Sequence, residues 1–160
     1  MSIAIRPAAP GDQALILDLV RGLAEYERLL AEVEADEAAL AGALFAANPR
    51  VFCDIAEVAG RSVGFALWFY NFSTFVGRHG IYLEDLFVLP AHRHLGVGKV
   101  LFRHLAARCV AENLGRLEWA VLDWNEPAIA FYRGRGARLL DDWTVGRLEG
   151  AALAALADDA

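Results

Sequence analysis

Apolar residues in the first part of the chain recur at the spacing of amphipathic helices. Residues 3–6 alternate as in a short strand, and Pro10 suits the first turn of the helix that follows, where a missing N–H costs nothing. One face of that helix is formed by Leu15, Ile16, Leu19, Val20 and Leu23. The same spacing returns over residues 36–46, and Asn48-Pro49 ends it. The pattern therefore predicts a strand followed by two helices.

The middle of the chain has the pattern of strands. Residues 52–58 and 62–70 are apolar runs joined by Ala59-Gly60, which predicts an antiparallel hairpin. Residues 81–88 form a third apolar strand, which runs into a loop that contains glycine. The hydrophobic pattern thus predicts a sheet at the centre of the chain.

The second half alternates helices and strands. A long helix is predicted over residues 98–113 and a shorter one over residues 127–135, with a strand at residues 117–122 between them. Two more strands and a helical tail complete the prediction, at residues 137–140, 143–148 and 151–157. The strand–helix–strand succession indicates a parallel pair, so the whole is a mixed α/β fold.

We expect one domain over residues 1–160. The sequence has no internal repeat and no low-complexity linker. Its length of 160 residues suits a single compact domain, and the hydrophobic share of 57% supplies enough apolar material for a core.

Composition narrows the classes of function. The formal net charge of −6 argues against a nucleic-acid-binding protein, which usually carries a basic surface. No run approaches the length of about 18 apolar residues that spans a bilayer, and the N-terminus lacks the apolar core of a signal peptide. Cys53 and Cys109 are far apart within apolar runs, so we interpret them as core residues. We therefore expect a cytoplasmic protein that binds neither nucleic acid nor membrane.

The most specific local pattern is a loop between an apolar strand and a long helix. It contains Arg93, Gly96, Gly98 and Lys99. First-turn amides of a helix lack intrahelical partners and carry partial positive charge, so a helix N-terminus can bind an anion. The glycines let a phosphate approach the backbone, and the two cationic side chains add charge. We predict a phosphate-binding loop; a turn that binds no ligand is the alternative.

Two known phosphate-binding motifs do not fit this loop. A dinucleotide fingerprint needs a third glycine where the chain has Leu101, and a Walker A loop needs Ser or Thr where it has Val100. The order Arg-x-x-Gly-x-Gly instead resembles the pyrophosphate-binding signature of the GNAT superfamily of acetyl-CoA-dependent N-acetyltransferases. The order of predicted elements resembles that fold along essentially the whole chain. The resemblance implies a mixed, mostly antiparallel central sheet of about six to seven strands flanked by helices.

The resemblance also implies the contacts of the cofactor. Backbone groups of the strand before the loop would meet the pantetheine arm of acetyl-CoA, at Leu86, Phe87 and Val88. The loop would hold the pyrophosphate, through Arg93, His94, Leu95, Gly96, Val97, Gly98 and Lys99. His92 and His94 have no nearby Cys or carboxylate cluster and do not predict a metal site. We expect acetyl-CoA as co-substrate and no metal.

A second informative segment surrounds Tyr132. Asn125 is a suitable N-cap for a helix that begins at Pro127, which places Tyr132 on the second turn, where a tyrosine is usually a core residue. Acetyl transfer expels a CoA thiolate, and a neighbouring phenol can protonate it. The segment resembles the motif that carries the family's thiolate-protonating tyrosine. This resemblance implies that Tyr132 is the catalytic acid and that four residues lie along the cofactor: Asn125, Glu126, Pro127 and Ala128.

Two adjacent carboxylates, Glu84 and Asp85, interrupt an apolar strand. Alternation places them on opposite faces, which excludes a pair that shares a proton. Burial of a carboxylate is costly unless it is paired or hydrated, so one should face a cleft and the other should meet a partner. We predict that Glu84 holds the substrate ammonium and helps to remove its proton, because an alkylamine with a pKa of about 10.4 must be neutral to attack a thioester. An ion pair on an edge strand is the alternative.

Three segments narrow the resemblance to one branch. Residues 23–27, 80–88 and 123–132 are together similar to the diamine (spermidine/spermine) acetyltransferases, a branch with thialysine-preferring relatives. This similarity implies substrate contacts at Tyr26, Glu27, Glu84, Glu118, Trp119 and Ala120. Residues 122–125 are similar to the thialysine-preferring relatives, whereas residues 125–127 are similar to the polyamine enzymes. The sequence therefore does not decide which amine is the substrate.

The leading hypothesis is acetylation of a primary amine of a small polyamine or diamine-like substrate. The amine would attack acetyl-CoA directly in a ternary complex, because neither cysteine lies in a motif region. The alternatives are a thialysine or other amino-acid-type acceptor, a protein acceptor, and a CoA-binding module without catalysis. The resemblance further implies a homodimer.

Overall fold

The structure, a computed structural model, describes residues 2–158. One compact unit ends at Ala120 and a second begins at Val121. Five strands and three α-helices lie in the described part of the larger unit, and two α-helices lie in that of the smaller unit. The assignment of residues 1–160 to one domain stays a prediction.

One sheet forms the middle of the larger unit. In spatial order its strands are β1 (Ile3–Pro7), β2 (Phe52–Val58), β3 (Arg61–Ser73), β4 (Arg78–Val88) and β5 (Leu117–Trp119). All neighbours are antiparallel except β4 and β5, which are parallel. The predicted hairpin is confirmed, and its two loop residues, Ala59 and Gly60, both have positive φ, as a tight two-residue hairpin turn requires.

Helices cover both faces of this sheet. They are α1 (Gln13–Tyr26), α2 (Glu37–Leu44) and α3 (Val97–Ala111), with short 3₁₀ segments at Leu30–Glu32 and Pro90–Leu95. One core joins α3 to its face of the sheet and includes Trp68, Ile81, Leu83, Val97, Leu101 and Leu105. A second core lies under α1 and α2 and includes Ile16, Leu19, Leu44, Phe65, Leu67 and Phe87. No helix among residues 2–158 combines the length and apolar character needed to cross a bilayer.

An irregularity in β4 changes the alternation of its side chains. Leu67 pairs with Asp85 whereas Trp68 pairs with Leu83, so Glu84 is an extra residue on β4. Before this bulge Leu83 faces the α3 core, and after it Val88 does so. The strict alternation that separated Glu84 from Asp85 is therefore wrong, because a bulge inserts one residue between two stretches of regular pairing.

The smaller unit contains α4 (Glu126–Arg133) and α5 (Gly150–Asp158). The strands predicted at residues 137–140 and 143–148 are wrong: both segments are irregular, so the described residues have five strands rather than six to seven. A strand needs a ladder of interstrand hydrogen bonds. In these segments the backbone makes local turns instead, from Ala137 N to Tyr132 O at 3.2 Å and from Trp143 N to Leu140 O at 3.2 Å.

Candidate active site

The predicted phosphate loop lies between β4 and α3 in the larger unit. The chain leaves β4 at Val88, passes through the 3₁₀ segment and reaches α3 through Gly96, which has φ of +79°. A Cβ at Gly96 would meet no atom within 4 Å, so the space beside the loop is open. Glycine therefore provides both the left-handed turn and an approach to the backbone.

The first turn of α3 presents backbone amides beside this open space. Gly96 is the N-cap and supplies no side-chain capping hydrogen bond. Val97 is fully buried and fixes the start of the helix, while His94 and Lys99 are exposed and Leu95 is half-buried. The arrangement that the sequence predicts for an anion site, with glycine at a helix N-terminus and the exposed cationic side chains of Arg93 and Lys99, is thus present.

Arg93 makes contacts that the sequence did not reveal. Its Nε donates a hydrogen bond to the carbonyl oxygen of Val88 at 3.0 Å. Its guanidinium lies 4.6 Å from the ring centroid of Tyr26 and 5.5 Å from that of Phe87. Arg93 therefore joins the loop to the end of β4 and to the end of α1.

The end of β4 has one edge that β5 does not cover. The pairing of β4 with β5 stops at Leu83 with Trp119, whereas the pairing of β4 with β3 continues to Val88. Residues 84–88 include the predicted pantetheine contacts Leu86, Phe87 and Val88. Their backbone N–H and C=O groups that point away from β3 therefore have no hydrogen-bond partner on β5. An extended ligand that carries amide groups can hydrogen-bond to such an edge.

Three carboxylates gather near the end of α1. Glu84 is exposed and Asp85 is half-buried, and burial, followed by the negative charges of Glu84 and Glu27, raises the pKa of Asp85 to about 7. Burial also raises the pKa of Glu27. The structure therefore places Asp85, for which the sequence predicted no site role, beside two predicted substrate contacts, Glu27 and Glu84.

Tyr26 and Glu27 lie at the C-terminal end of α1. Tyr26 is the last helical residue and Glu27 the C-cap. Unpaired carbonyl groups give a helix C-terminus partial negative charge, and no basic residue lies in this last turn. The end of α1 and the three carboxylates together favour a cation.

The three predicted contacts on and after β5 differ in environment. Glu118 is half-buried and forms a salt bridge with Arg116 at 2.7 Å. The ring of Trp119 packs edge-on against Phe102 of α3, with centroids 5.1 Å apart, so its side chain belongs to the α3 core. Ala120 is exposed. A side-chain contact between substrate and Trp119 therefore has no support from this geometry.

Tyr132 lies on the second turn of α4, in the smaller unit. The predicted N-cap is confirmed, because Oδ1 of Asn125 accepts a hydrogen bond from Ala128 N at 3.3 Å. Pro127 lies in the first helical turn, and Glu126 is exposed. Tyr132 is buried, and its ring packs edge-on against Phe131 with centroids 5.2 Å apart. The Asn125 cap stabilises the N-terminus of α4, the helix that contains the predicted catalytic acid, Tyr132.

Metal ligands do not gather in the part of the chain that the structure describes. Residues 2–158 contain no group of three or more His, Cys, Asp or Glu side chains arranged to hold a metal ion. The two cysteines, Cys53 and Cys109, are both buried and free.

Similarity to known proteins agrees with this arrangement. Residues 16–137 match the Acetyltransferase (GNAT) family. Thialysine N-epsilon-acetyltransferase of Sus scrofa is 37% identical over 167 residues, which cover 98% of each protein. Spermidine/spermine N(1)-acetyltransferase-like protein 1 of Homo sapiens is 34% identical over 140 residues, which cover 83% of this chain and 20% of that protein.

A solved structure extends the similarity to the fold. Integron cassette protein VCH_CASS6, from the mobile metagenome of V. cholerae, matches with a TM-score of 0.77 and 32% identity, and the match covers 99% of both chains. GNAT acetyltransferases use acetyl-CoA. The resemblance found in the loop and in the Tyr132 segment is thereby confirmed at the level of the family. The chain belongs to the GNAT family, in its spermidine/spermine acetyltransferase-like branch, and is an N-acetyltransferase that acts on amines.

Proposed function

We propose that this enzyme acetylates the primary amine of a small diamine-like substrate, held by the carboxylates at the end of α1. The observation that supports this proposal is the cluster of Glu27, Glu84 and Asp85. In this cluster burial, and then the neighbouring negative charges, raise the pKa of Asp85. A bound ammonium would relieve that repulsion, because an opposite charge within a few ångströms favours the ionised carboxylate. Tyr26 would border the same cation.

The loop and the edge of β4 are the proposed acetyl-CoA site. Acetyl-CoA supplies an acetyl thioester, which is the electrophile in this reaction. The amides of the first turn of α3, with Arg93 and Lys99, would hold the pyrophosphate. The edge of residues 84–88 that β5 leaves uncovered would hydrogen-bond the pantetheine arm, although Nε of Arg93 already donates to the carbonyl oxygen of Val88. The open space at Gly96 fits this assignment.

Two side chains would handle the protons of the transfer. Glu84 would accept a proton from the ammonium, directly or through water, so that the neutral amine can form the N–C bond. The C–S bond breaks as that bond forms, the phenol of Tyr132 would donate a proton to the departing thiolate, and the acetylated nitrogen would release its second proton to water. Both groups then return to their starting states by exchange with water.

A thiol-release assay across spermidine, spermine, putrescine, thialysine, lysine and short peptides tests this proposal. We expect turnover with small amines, and Glu84→Gln should lower kcat/KM by roughly a hundredfold. Glu34→Gln, an equal change of charge in an exposed position after the first 3₁₀ segment, is the control and should keep full activity. Saturable CoA binding without turnover of any amine would contradict the proposal, as would equal kinetics for the two variants.

We also propose a cytoplasmic homodimer, as the family resemblance implies. Three large apolar side chains of the smaller unit, Trp143, Leu148 and Leu153, are 74%, 46% and 53% exposed. Their burial in an interface would remove apolar surface from water. Light scattering coupled to size-exclusion chromatography measures the mass directly, and a mass of 17.4 kDa would contradict the dimer.

A further inference from the structure

Two half-buried rings on the central sheet, Phe69 and Tyr82, belong to neither hydrophobic core among the residues that the structure describes. They are partners across the β3–β4 pairing. The residues on either side of Tyr82, Ile81 and Leu83, belong to the α3 core, so alternation directs the Tyr82 side chain to the face that carries α1. The two rings therefore lie on the α1 face of the sheet, outside the core that α1 covers.

The rings of Phe69 and Tyr82 form one aromatic surface. They are stacked, with centroids 5.2 Å apart and 29° between their planes. Aromatic pairs in such an arrangement attract each other, so the surface is in place before a ligand arrives. An aromatic face also carries partial negative charge, which attracts a cation. A half-buried aromatic surface of this kind suits the apolar stem of an alkylamine.

Carboxylates lie on two sides of Tyr82. It pairs with Glu118 across the β4–β5 ladder, and Glu84 follows it by two residues along β4. Burial, and then the negative charges of Glu84 and Glu118, raise the pKa of Tyr82. Arg116 offsets the charge of Glu118 through their salt bridge, whereas Glu84 has no ionic partner in the part of the chain that the structure describes. Negative charge is therefore unbalanced on the Glu84 side of the ring.

The hydroxyl of Tyr82 is available to a ligand. Within residues 2–158 no side chain or backbone group forms a hydrogen bond with it, whereas the hydroxyl of Tyr70 donates to Glu112 at 2.6 Å. An ammonium only donates hydrogen bonds and a carboxylate only accepts them, but a phenol does both. The Tyr82 hydroxyl can therefore accept a hydrogen bond from an ammonium that the neighbouring Glu84 attracts.

We propose that Tyr82 is a substrate-binding residue of the acetyl transfer. Its ring, held by Phe69, supports the apolar stem of the amine, and its hydroxyl accepts a hydrogen bond from the ammonium at Glu84. The inference rests on the proposed function and deepens it. The carboxylates attract the cation, whereas Tyr82 orients it and selects amines whose first carbons form an unbranched apolar stem.

The two parts of this side chain act on different features of the amine. The hydrogen bond involves only the nitrogen, so its contribution is the same for every primary amine. The contact with the ring grows with the length of the stem, because each further methylene removes more apolar surface from water. Stem length therefore separates the two contributions.

A series of unbranched monoamines, from ethylamine to n-pentylamine, tests the assignment in the wild-type enzyme. Each monoamine competes with the acceptor that has the highest turnover in the amine panel, and mass spectrometry follows the acetylated form of that acceptor. This gives an apparent affinity whether or not the competitor is itself acetylated. We expect the affinity to rise by about twofold or more with each methylene. A series without such a rise would overturn the proposal.

Variants of Tyr82 divide the effect. Tyr82→Phe keeps the ring, so it should lower the affinity for every monoamine by about tenfold or more and keep the rise with stem length. Tyr82→Leu removes the ring as well and should abolish the rise. Tyr70→Phe and Phe72→Leu remove a hydroxyl and a ring from other positions of β3. They are the matched controls and should keep the wild-type series.

Either of two results would overturn the assignment. Wild-type affinities in Tyr82→Phe would contradict the role of the hydroxyl, and an undiminished rise with stem length in Tyr82→Leu would contradict the role of the ring. Should Tyr82→Leu fail to fold, as judged by circular dichroism, Phe69→Leu tests the ring instead, because it removes the support and keeps Tyr82. The wild-type series needs no variant.

Binding measured without turnover separates this inference from the proposed function. Isothermal titration of the wild-type protein and of Tyr82→Phe with n-butylamine reports affinity alone. If no amine is turned over but Tyr82→Phe weakens the binding of n-butylamine, the proposed function is wrong and the role of Tyr82 is supported. If amines are turned over and both proteins bind n-butylamine equally, the proposed function is supported and the role of Tyr82 is wrong.

Discussion

The guanidinium of Arg93 lies over the ring of Tyr26, 4.6 Å from its centroid, while its Nε holds the carbonyl oxygen of Val88. Arg93 belongs to the proposed cofactor loop, and Tyr26 belongs to the proposed amine site. One side chain therefore connects the two substrates' sites through direct contacts. A cation over an aromatic ring contributes about 0.5–1 kcal/mol where it is exposed to water, and more where it is not.

Arg93→Lys should raise KM for the amine as well as for acetyl-CoA. Lysine keeps the positive charge but not the planar group that stacks on Tyr26 and bonds to Val88. We expect about a tenfold rise in each KM by steady-state kinetics with both substrates varied. Lys99→Gln, in the exposed part of the same loop, should raise only the KM for acetyl-CoA. If Arg93→Lys raised only the KM for acetyl-CoA, the contact of Arg93 with Tyr26 would not contribute to amine binding.

Tyr132→Phe should lower kcat by roughly a hundredfold or more, which is the contribution typical of a general acid. The change removes one hydroxyl from α4 and leaves the cap at Asn125 intact. Acetyl-CoA affinity, measured by titration calorimetry, should stay within about twofold. Tyr70→Phe is the matched control, because it removes a hydroxyl that donates to Glu112 at 2.6 Å. Equal kcat in the two variants would remove Tyr132 from the mechanism.

Asp85 should make the stability of the protein depend on pH. Its pKa rises from an ordinary value of 3.8 to about 7 on folding, so the unfolded state loses this proton at lower pH than the folded state does. The stabilisation is complete below about pH 4 and is lost as pH rises through about 7, with an upper bound of roughly 4 kcal/mol. Asp85→Asn should therefore raise Tm at pH 8 and give no gain at pH 4.

Thermal unfolding followed at both pH values measures this effect. Asp18→Asn, at an exposed position of α1, is the control and should shift Tm equally at the two pH values. A Tm for Asp85→Asn that stays below that of the wild type at pH 8 would mean that the Asp85 carboxylate is not destabilised by burial and neighbouring charge.

Gly96→Ala should lower both stability and acetyl-CoA affinity. A residue with a Cβ pays about 1–2 kcal/mol in the left-handed region, where Gly96 has φ of +79°. The new methyl group would project into the open space that we assign to the pyrophosphate. Gly60→Ala, with φ of +74° and equally open surroundings in the β2–β3 turn, carries the same strain and should keep its affinity for acetyl-CoA. Equal affinity in the two variants would contradict the loop assignment.

The sequence correctly predicted those elements whose structure depends on residues close together in the chain. The turn at Ala59-Gly60, the strand–loop–helix unit around Gly96 and the cap at Asn125 all depend on neighbours in sequence. Residues 137–148 show where such signals fail. Their alternation is typical of strands, but a strand also needs a partner, which a short pattern does not specify.

The contacts within the candidate site depend on the tertiary fold. The contact of Arg93 with Tyr26 could not be predicted from the sequence, because it depends on the packing of α1 against β4. The grouping of Asp85 with Glu27 and Glu84 likewise depends on the bulge and on the end of α1. The salt bridge of Arg116 with Glu118 joins a residue that precedes β5 to one on β5, and the sequence analysis did not predict it.

The extra residue in β4 makes the chain intolerant of a change in length at one position. Deletion of Glu84 would restore simple alternation and exchange the two faces for the residues that follow it on β4. Phe87 would then point toward α3, and Val88 toward α1. A substitution of Glu84 changes the charge at this position. A deletion would instead move core side chains of β4 to the opposite face of the sheet. The fold therefore requires a residue at position 84, independently of the role proposed for the Glu84 carboxylate.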